Sequence, residues 1–240
     1  MSEVRAALAA TLGPLFRVER EVRPLGADRL FVVTQNPLGP ALLVKVLPAA
    51  VSLAIDGEQF ERKLLLLADK LQHPNLVAPK GGGRAGSFIF HARPFISGTT
   101  LHAWIARHGA LTLARAVDVL RGLLSGLSHA HAAEVAHGAM RSENVLLGEH
   151  GVMVADTGIA GILGHSVVRR ADMVAVGNVV REMLTGSGSA EEEPVERSRA
   201  LPAWLTDWIQ TSWKNAAEAL AALEPPNAPP FRQSGPQSFA

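Results

Sequence analysis

The spacing of apolar and polar residues changes near residue 100 of the chain. Between residues 16 and 50, short apolar stretches such as FRVEREV, RLFVVTQ and ALLVKVL alternate with Gly, Pro and Asn. Stretches of this length that are bounded by turn residues predict β-strands. Residues 55–72 instead have helical periodicity, and the sequence HPN ends that run. The first part of the chain is therefore predicted to form mostly strands, with one main helix.

After residue 100 the apolar positions recur at the spacing of amphipathic helices. The clearest examples are TLHAWIARHG and LTLARAVDVLRGLLSGLSHAHAAEV, whereas NVLLGEHGVMVAD predicts a short pair of strands. A strand-rich part followed by a helical part predicts an α+β fold. Further helices are predicted at about 171–185, 202–213 and 216–223.

This change in spacing predicts two lobes and a tail. The small lobe covers residues 1–96 and includes an N-terminal helix, and the large lobe covers residues 97–224. Residues 225–240 are rich in Pro and Ser and predict a flexible tail. Ligands favour the crevice between two such lobes, so a functional site is expected there.

Composition excludes several classes of protein. Apolar residues make up 48% of the 240 residues, which is enough for a substantial core. Lys and Arg number 23 against 22 Asp and Glu, so no nucleic-acid partner is expected. The absence of cysteine excludes disulfides and thiolate metal sites. No apolar run reaches the roughly 18 residues that a membrane span needs, so we expect no membrane insertion and a cytoplasmic location.

One stretch carries the most informative motif. HGAMRSENVLL, at residues 137–147, is similar to HRDLKPENVLL, the catalytic loop of protein kinases. Five other stretches resemble further segments of protein kinases and occur in the family's order. They are LLVKVL, HPNLV, RPFISGTTL, VADTGIA and ADMVAVGNVVREMLTG. From about residue 17 to residue 223, the chain therefore resembles the eukaryotic-like Ser/Thr protein kinase family, in its bacterial form.

The resemblance implies a bilobal protein-kinase-like fold. The small N-lobe would be β-rich with one main helix, and the larger C-lobe would be α-helical. Phosphoryl transfer needs a cradle and a lysine for the phosphates, metal ligands, and a group that orients the attacking hydroxyl. By resemblance, the remaining residues of a nucleotide site are Lys45 for the phosphates, Asp156 and Asn144 for magnesium, Gly26 in the phosphate loop, and Pro94 and Ile96 at the hinge.

The residue that matches the catalytic aspartate is missing. Ala139 occupies its position, and a methyl group can neither accept a proton nor orient a hydroxyl. A positioned general base typically contributes about 10²–10⁴ in rate. Gly138 replaces the arginine that grips a phosphorylated activation loop in the family. The sequence therefore provides no catalytic base at this position, and an enzyme with altered chemistry would need a base placed elsewhere.

The phosphate-binding loop also departs from the family. The family pattern GxGxxGxV is matched here by GADRLFVV at residues 26–33, which places Asp28 and Phe31 at glycine positions. A Cβ at such positions obstructs close approach of the backbone to phosphate. We expect Asp28 to repel a polyphosphate, and Phe31 could fold into the cleft as a plug.

Two further positions are expected to modify the cleft. The glutamate that pairs with the family's lysine falls at Leu64, or at Lys63 if the register slips, and Glu61 could replace it from one turn earlier. Arg93 falls at the gatekeeper position, which is usually apolar in the family. A buried arginine needs a partner, for which Asp156 and Glu61 are candidates. The alternative is that Arg93 reaches solvent.

The activation segment is shortened. Only 15 residues separate Asp156 from Asp172, and no APE sequence is present, so the platform for a peptide substrate is missing. The loss of the arginine at Gly138 agrees with this, because a short segment leaves no long loop to hold. Helix faces that the short segment leaves uncovered are the expected partner surface, since exposed apolar patches often mark interfaces.

These departures favour a pseudokinase that acts as a scaffold or an allosteric protein-binding module, without peptide phosphotransfer. The alternatives are a nucleotide-binding enzyme with altered chemistry, such as an atypical kinase or a nucleotidyl transferase, and a non-catalytic nucleotide sensor. No cofactor is expected, and binding of ATP with magnesium should be weak or absent. The partner is expected to be a protein of unknown identity, and the oligomeric state of this chain stays open.

Overall fold

The computed structural model describes residues 2–22, 27–36, 39–149, 151–186 and 202–223. Gly26 and the predicted tail at 225–240 lie outside the described residues. The chain divides into two compact units. Unit 1 comprises Met1–Gln72, Val77–Ile96 and Ile162–Gly164, and unit 2 comprises His73–Leu76, Ser97–Gly161 and His165–Ala240.

Unit 1 is built on a five-stranded antiparallel sheet with the strand order β1-β2-β3-β5-β4. The apolar stretches of the sequence form three of these strands, as predicted. The strands are β1 (Phe16–Val22), β2 (Arg29–Gln35), β3 (Ala41–Val46), β4 (Gly81–Ala85) and β5 (Phe88–Pro94).

Helix α1 (Glu3–Leu12) packs on one face of this sheet. Ser2 begins the helix by accepting a hydrogen bond from the amide of Arg5. Leu8 is fully buried and belongs to the same apolar cluster as Phe31 of β2 and Val44 of β3. The N-terminal helix is therefore part of the core of unit 1.

Helix α3 (Gly57–Lys70) is the main helix that the sequence predicts for this region, and the short helix α2 (Ala49–Ser52) precedes it. Asp56 begins α3 by accepting a hydrogen bond from the amide of Gln59 at 2.9 Å. Leu64 of α3 is buried against β4, where a Cβ on Gly82 would come within 2.7 Å of the leucine side chain. Glycine at this position therefore allows close packing of helix on strand.

Unit 2 is mainly helical and contains a three-stranded sheet with the order β6-β7-β8. Its central helix, α5, packs against α9 and β8. The elements are β6 (Gly98–Thr100), α4 (Leu101–His108), α5 (Leu113–Ala132), a 3₁₀ turn (Ser142–Asn144), β7 (Val145–Gly148), β8 (Gly151–Val154), α6 (Ile159–Ile162), α7 (Arg169–Thr185), α8 (Ala203–Gln210) and α9 (Ala216–Leu223).

Residues 73–76 belong to unit 2 although they lie between two elements of unit 1. The Asn75 side chain donates to the carbonyl of Val152, and its own carbonyl accepts from the amide of Val154, both at 2.8 Å. Leu76 also forms a parallel bridge with Val154. These bonds satisfy backbone groups of β8, which explains the assignment of the segment to unit 2.

The predicted helices of the second half are present, but two of them end early. Helix α5 ends at Ala132, three residues before the predicted end at residue 135. Helix α8 ends at Gln210, three residues before the predicted end at residue 213. Thr211 turns to an extended backbone there, and its hydroxyl donates to the carbonyl of Asp207 at 2.8 Å. Within the described residues, no helix is both long and apolar enough to cross a membrane.

Candidate functional site

Lys45 lies in the middle of the sheet of unit 1 and pairs with a carboxylate. Its backbone lies opposite Leu30 of β2 and His91 of β5. The Lys45 ammonium is 3.1 Å from a carboxylate oxygen of Asp28, and the two side chains are only 22% and 24% exposed. This contact provides Lys45 with an internal anion.

Phe31 is not the plug considered above. The register places Phe31 opposite Val44, so its side chain points to the face of the sheet away from Lys45. Phe31 is fully buried in the core that α1 covers. The residue of β2 that faces Lys45 is Leu30, because opposite residues of an antiparallel pair share a face.

Glu61 does not take the place of the missing glutamate. Leu64 occupies the expected position and is buried against Gly82. Glu61 is exposed, and its carboxylate lies beside Gly83 of β4, 3.8 Å from where a Cβ would stand. Within the described part of unit 1, the carboxylate that forms an ion pair with Lys45 comes from Asp28 instead.

Arg93 lies on the same face of the sheet as Lys45, opposite Leu43 of β3. It is partly buried, and its guanidinium donates to the carbonyl of Pro94 at 3.3 Å. One of the two predicted hinge residues, Pro94, therefore has its carbonyl engaged by the side chain at the gatekeeper position. The other, Ile96, is the last residue of this part of unit 1 and is partly buried.

The catalytic-loop segment of unit 2 is organised around His137. The imidazole is fully buried, donates from Nε2 to the carbonyl of Ala155 at 3.1 Å, and accepts from the amide of Ala139 at 3.2 Å. Burial lowers the pKa of His137, although the negative charges of Asp172 and Asp156 act in the opposite direction. A neutral imidazole satisfies both contacts, so His137 holds the loop in shape.

Ala139 and Asn144 are brought together by this loop. The Asn144 amide donates to the carbonyl of Ala139 at 2.8 Å, and the carbonyl of Asn144 accepts from the amide of Ala155 at 2.8 Å. The second bond places Asn144 next to the residue that precedes Asp156. Asp156 adopts a left-handed backbone conformation with φ of 60°. Only a methyl group projects from position 139.

Asp172 has a structural role that the sequence reasoning missed. This buried carboxylate, in the first turn of α7, accepts hydrogen bonds from the amides of His137 and Gly138 and from Nε2 of His131, all within 2.9 Å. Burial raises the pKa of Asp172, but these hydrogen bonds outweigh it and leave the pKa below its usual value. The sequence did contain a signal for this role, because Asp172 is an acidic residue next to Met173 on the apolar side of a helix.

Gly138 has no room for a side chain. Its φ is 78°, a left-handed conformation that favours glycine, and a Cβ would collide with Val167 and approach Ala160. The short activation segment therefore occupies the space that an arginine side chain would need. This packing supports the prediction that the loss of the arginine and the shortening of the segment belong together.

Part of the activation segment packs on the loop, because Val167 and Ala160 lie where a side chain on Gly138 would stand. The amide of His165 donates to the carbonyl of Ala160 at 3.1 Å. Arg169 lies 2.8 Å from the carboxylate of Glu134, which anchors the end of the segment. Across residues 156–172, all of which are described, Val168 is the exposed large apolar side chain, with 59% of its surface accessible.

Asp156 and Asn144 provide oxygen atoms of the kind that magnesium prefers. Among the described residues, no group of three or more His, Asp or Glu side chains is placed to hold a metal ion by itself. A magnesium ion held by these two residues would need phosphate oxygens and water as its remaining ligands, and it would neutralise phosphate charge there.

Comparisons with known proteins agree with this arrangement. Residues 44–179 match the profile of the protein kinase domain. The chain belongs to the protein kinase domain family. It is 26% identical over 211 residues to Serine/threonine-protein kinase pkn3 of Myxococcus xanthus, covering 73% of this chain and 38% of that protein. It is 29% identical over 181 residues to PknJ of Mycobacterium tuberculosis, covering 72% of this chain and 30% of that kinase.

Solved structures confirm the protein-kinase fold. The PknI kinase domain of Mycobacterium tuberculosis is similar with a TM-score of 0.68 at 19% identity, covering 88% of this chain and 95% of that one. Rad53 in complex with AMP-PNP is similar with a TM-score of 0.71 at 20% identity, covering 88% of this chain and 66% of that one. The β-rich unit 1 and the helical unit 2 are thus the two parts of a kinase fold.

Proposed function

We propose that this kinase-family chain is a pseudokinase, a protein-binding module that acts as a scaffold or allosteric regulator and does not phosphorylate peptides. The observation that carries the proposal is Ala139. The loop around it is held by His137, Asn144 and Asp172, so the position of the missing base is well defined and is occupied by a methyl group. A cytoplasmic location is part of this proposal.

A missing base alone lowers rate by about 10²–10⁴, which leaves room for slow chemistry. Two further features lower it more. Lys45, which would hold the phosphates, is paired with Asp28. The short segment between Asp156 and Asp172 provides no counterpart of the family's peptide platform. Catalytic groups act as a unit, so their combined loss supports an inactive enzyme.

The test is transfer of label from radiolabelled ATP, with magnesium or manganese, to generic protein substrates and to the chain itself. The parent protein should match a blank without protein. Label that Lys45→Met or Asp156→Ala abolishes would replace the pseudokinase proposal by an active kinase or a nucleotidyl transferase.

The second candidate is a nucleotide-dependent function, either an enzyme with altered chemistry or a non-catalytic sensor. Retention of Lys45, Asn144 and Asp156 favours it, because these are the cation and oxygen donors that a magnesium nucleotide requires. A nucleotide sensor would show a magnesium-dependent rise in melting temperature without transfer of label. A ligand at 100 times its dissociation constant adds about 2.7 kcal/mol of stability.

A further inference from the structure

The ion pair between Asp28 and Lys45 follows from the register of the sheet. Leu30 lies opposite Lys45. Because side chains alternate along a strand, position 28, two residues before Leu30, lies on the same side as Lys45. The observed separation of 3.1 Å between carboxylate and ammonium agrees with that geometry. Asp28 is therefore directed at Lys45 by the strand that follows it.

The opposite side of the same strand is fixed. Arg29 makes two hydrogen bonds of 2.6 Å to the carboxylate of Glu21 on β1 and a third to the hydroxyl of Ser2. Its guanidinium also lies 5.3 Å from the centre of the buried ring of Phe31. The backbone next to Asp28 is thus held through Arg29, which contacts Glu21, Ser2 and Phe31.

The Asp28–Lys45 pair is also buried enough for its charges to interact strongly with a ligand. Both side chains are more than three-quarters buried, so solvent screens the Asp28 carboxylate less than it would at an exposed site. A phosphate group arriving at Lys45 must replace the carboxylate or share the lysine with it. Sharing places two negative charges side by side, and their repulsion weakens the binding of the phosphate.

We propose that Asp28 is a specificity-determining residue that takes the position of a nucleotide phosphate at Lys45, so that the chain rejects polyphosphate ligands until Asp28 is neutralised. This deepens the proposed function, since it concerns the same site. It predicts that one isosteric change, Asp28→Asn, which removes the charge and keeps the size, converts the chain into one that binds nucleotide through Lys45.

The experiment measures binding of ATP with magnesium by calorimetry and by melting temperature, using the full 240-residue chain. The parent should show no saturable binding at millimolar ATP. Asp28→Asn should bind at least tenfold more tightly, a change of about 1.4 kcal/mol. Adenosine, which carries no phosphate, should give the same response with both proteins. Adding Lys45→Met to Asp28→Asn should abolish the gain.

A matched control is Glu58→Gln, which removes one negative charge from an exposed pair with Arg62 in the same unit. It should behave like the parent. The proposal is overturned if the parent binds ATP as tightly as Asp28→Asn, if folded Asp28→Asn gains nothing, if the gain survives Lys45→Met, or if adenosine gains equally. Label transfer tests the pseudokinase proposal separately, because binding without transfer leaves that proposal standing.

Discussion

Val167 packs where a side chain on Gly138 would stand. Gly138→Ala should therefore lower the free energy of unfolding, since overpacking costs about 1–3 kcal/mol and a left-handed non-glycine residue about 1–2 kcal/mol more. Val167→Ala in the same chain should recover the crowding part, with a coupling of at least about 0.5 kcal/mol. Urea denaturation of the two single variants and the double variant measures this coupling. Strictly additive losses would show that the two residues do not compete for space.

Helix α1 should contribute strongly to the stability of unit 1. Leu8 is fully buried against the sheet, so Leu8→Ala should destabilise the chain by about 2–5 kcal/mol. Leu66→Ala on α3 is the control, because that leucine is 66% exposed and its truncation should stay within about 0.5 kcal/mol. Equal effects in thermal or urea unfolding would mean that α1 is not part of the core.

The backbone of Glu134 should be strained, so that glycine is favoured over glutamine at this position. It has φ of 62° just after α5, where the amides of Glu134 and Val135 bond back to the carbonyls of His131 and Ala130. That helix ending favours glycine. Glu134→Gln removes the exposed ion pair with Arg169 but keeps the strained backbone, so it is the reference.

Glu134→Gly should be more stable than Glu134→Gln by about 0.5–1 kcal/mol, because left-handed strain of about 1–2 kcal/mol exceeds the entropic disadvantage of glycine. Urea midpoints of the two variants give the comparison. A less stable glycine variant would show that strain at this position is negligible.

Acid should destabilise the fold through His137. Its pKa is lowered in the folded chain by burial, so the unfolded chain binds the proton first as pH falls below 6.5, the ordinary value. The stability that this residue contributes is present above that pH and declines below it, by at most about 1.4 kcal/mol per pH unit.

His137→Gln, which keeps hydrogen-bonding atoms but does not titrate, should show a shallower decline between pH 7 and pH 5. The measurement is urea denaturation of both proteins across that range. Parallel slopes would mean that His137 is protonated in the folded state without penalty.

Ala139→Asp should not restore peptide phosphorylation. The new carboxylate would stand near Asn144, whose side-chain amide donates to the carbonyl of residue 139. Lys45 would still be paired with Asp28, and the peptide platform would still be absent. A catalytic base helps only when the phosphate and the attacking hydroxyl are held close together. That positioning carries much of the barrier reduction. Radiolabel incorporation by this variant should equal the blank, and activity above it would mean that the base was the single missing part.

The sequence predicted the fold well because local patterns determine it. Alternating apolar stretches became β2 and β3, and helical periodicity became α3 and α5. The prediction for Phe31 was wrong, because aligning the sequence with the family's glycine pattern does not show which face of the sheet a residue is on. A shift of one residue reverses that side. The hydrogen bonds of Asp172 were equally hidden, because its three donors lie 34, 35 and 41 residues away in the chain.

The placement of Asn75 has a consequence for synthesis of the chain. Its side chain bonds to Val152 of β8, which lies 77 positions later in the chain. Residues 73–76 are therefore synthesised well before β8, the strand to which they bond. A fragment that begins at Ser97 would lack these bonds to Val152 and Val154, so we expect it to be less stable than a fragment that keeps residues 73–76.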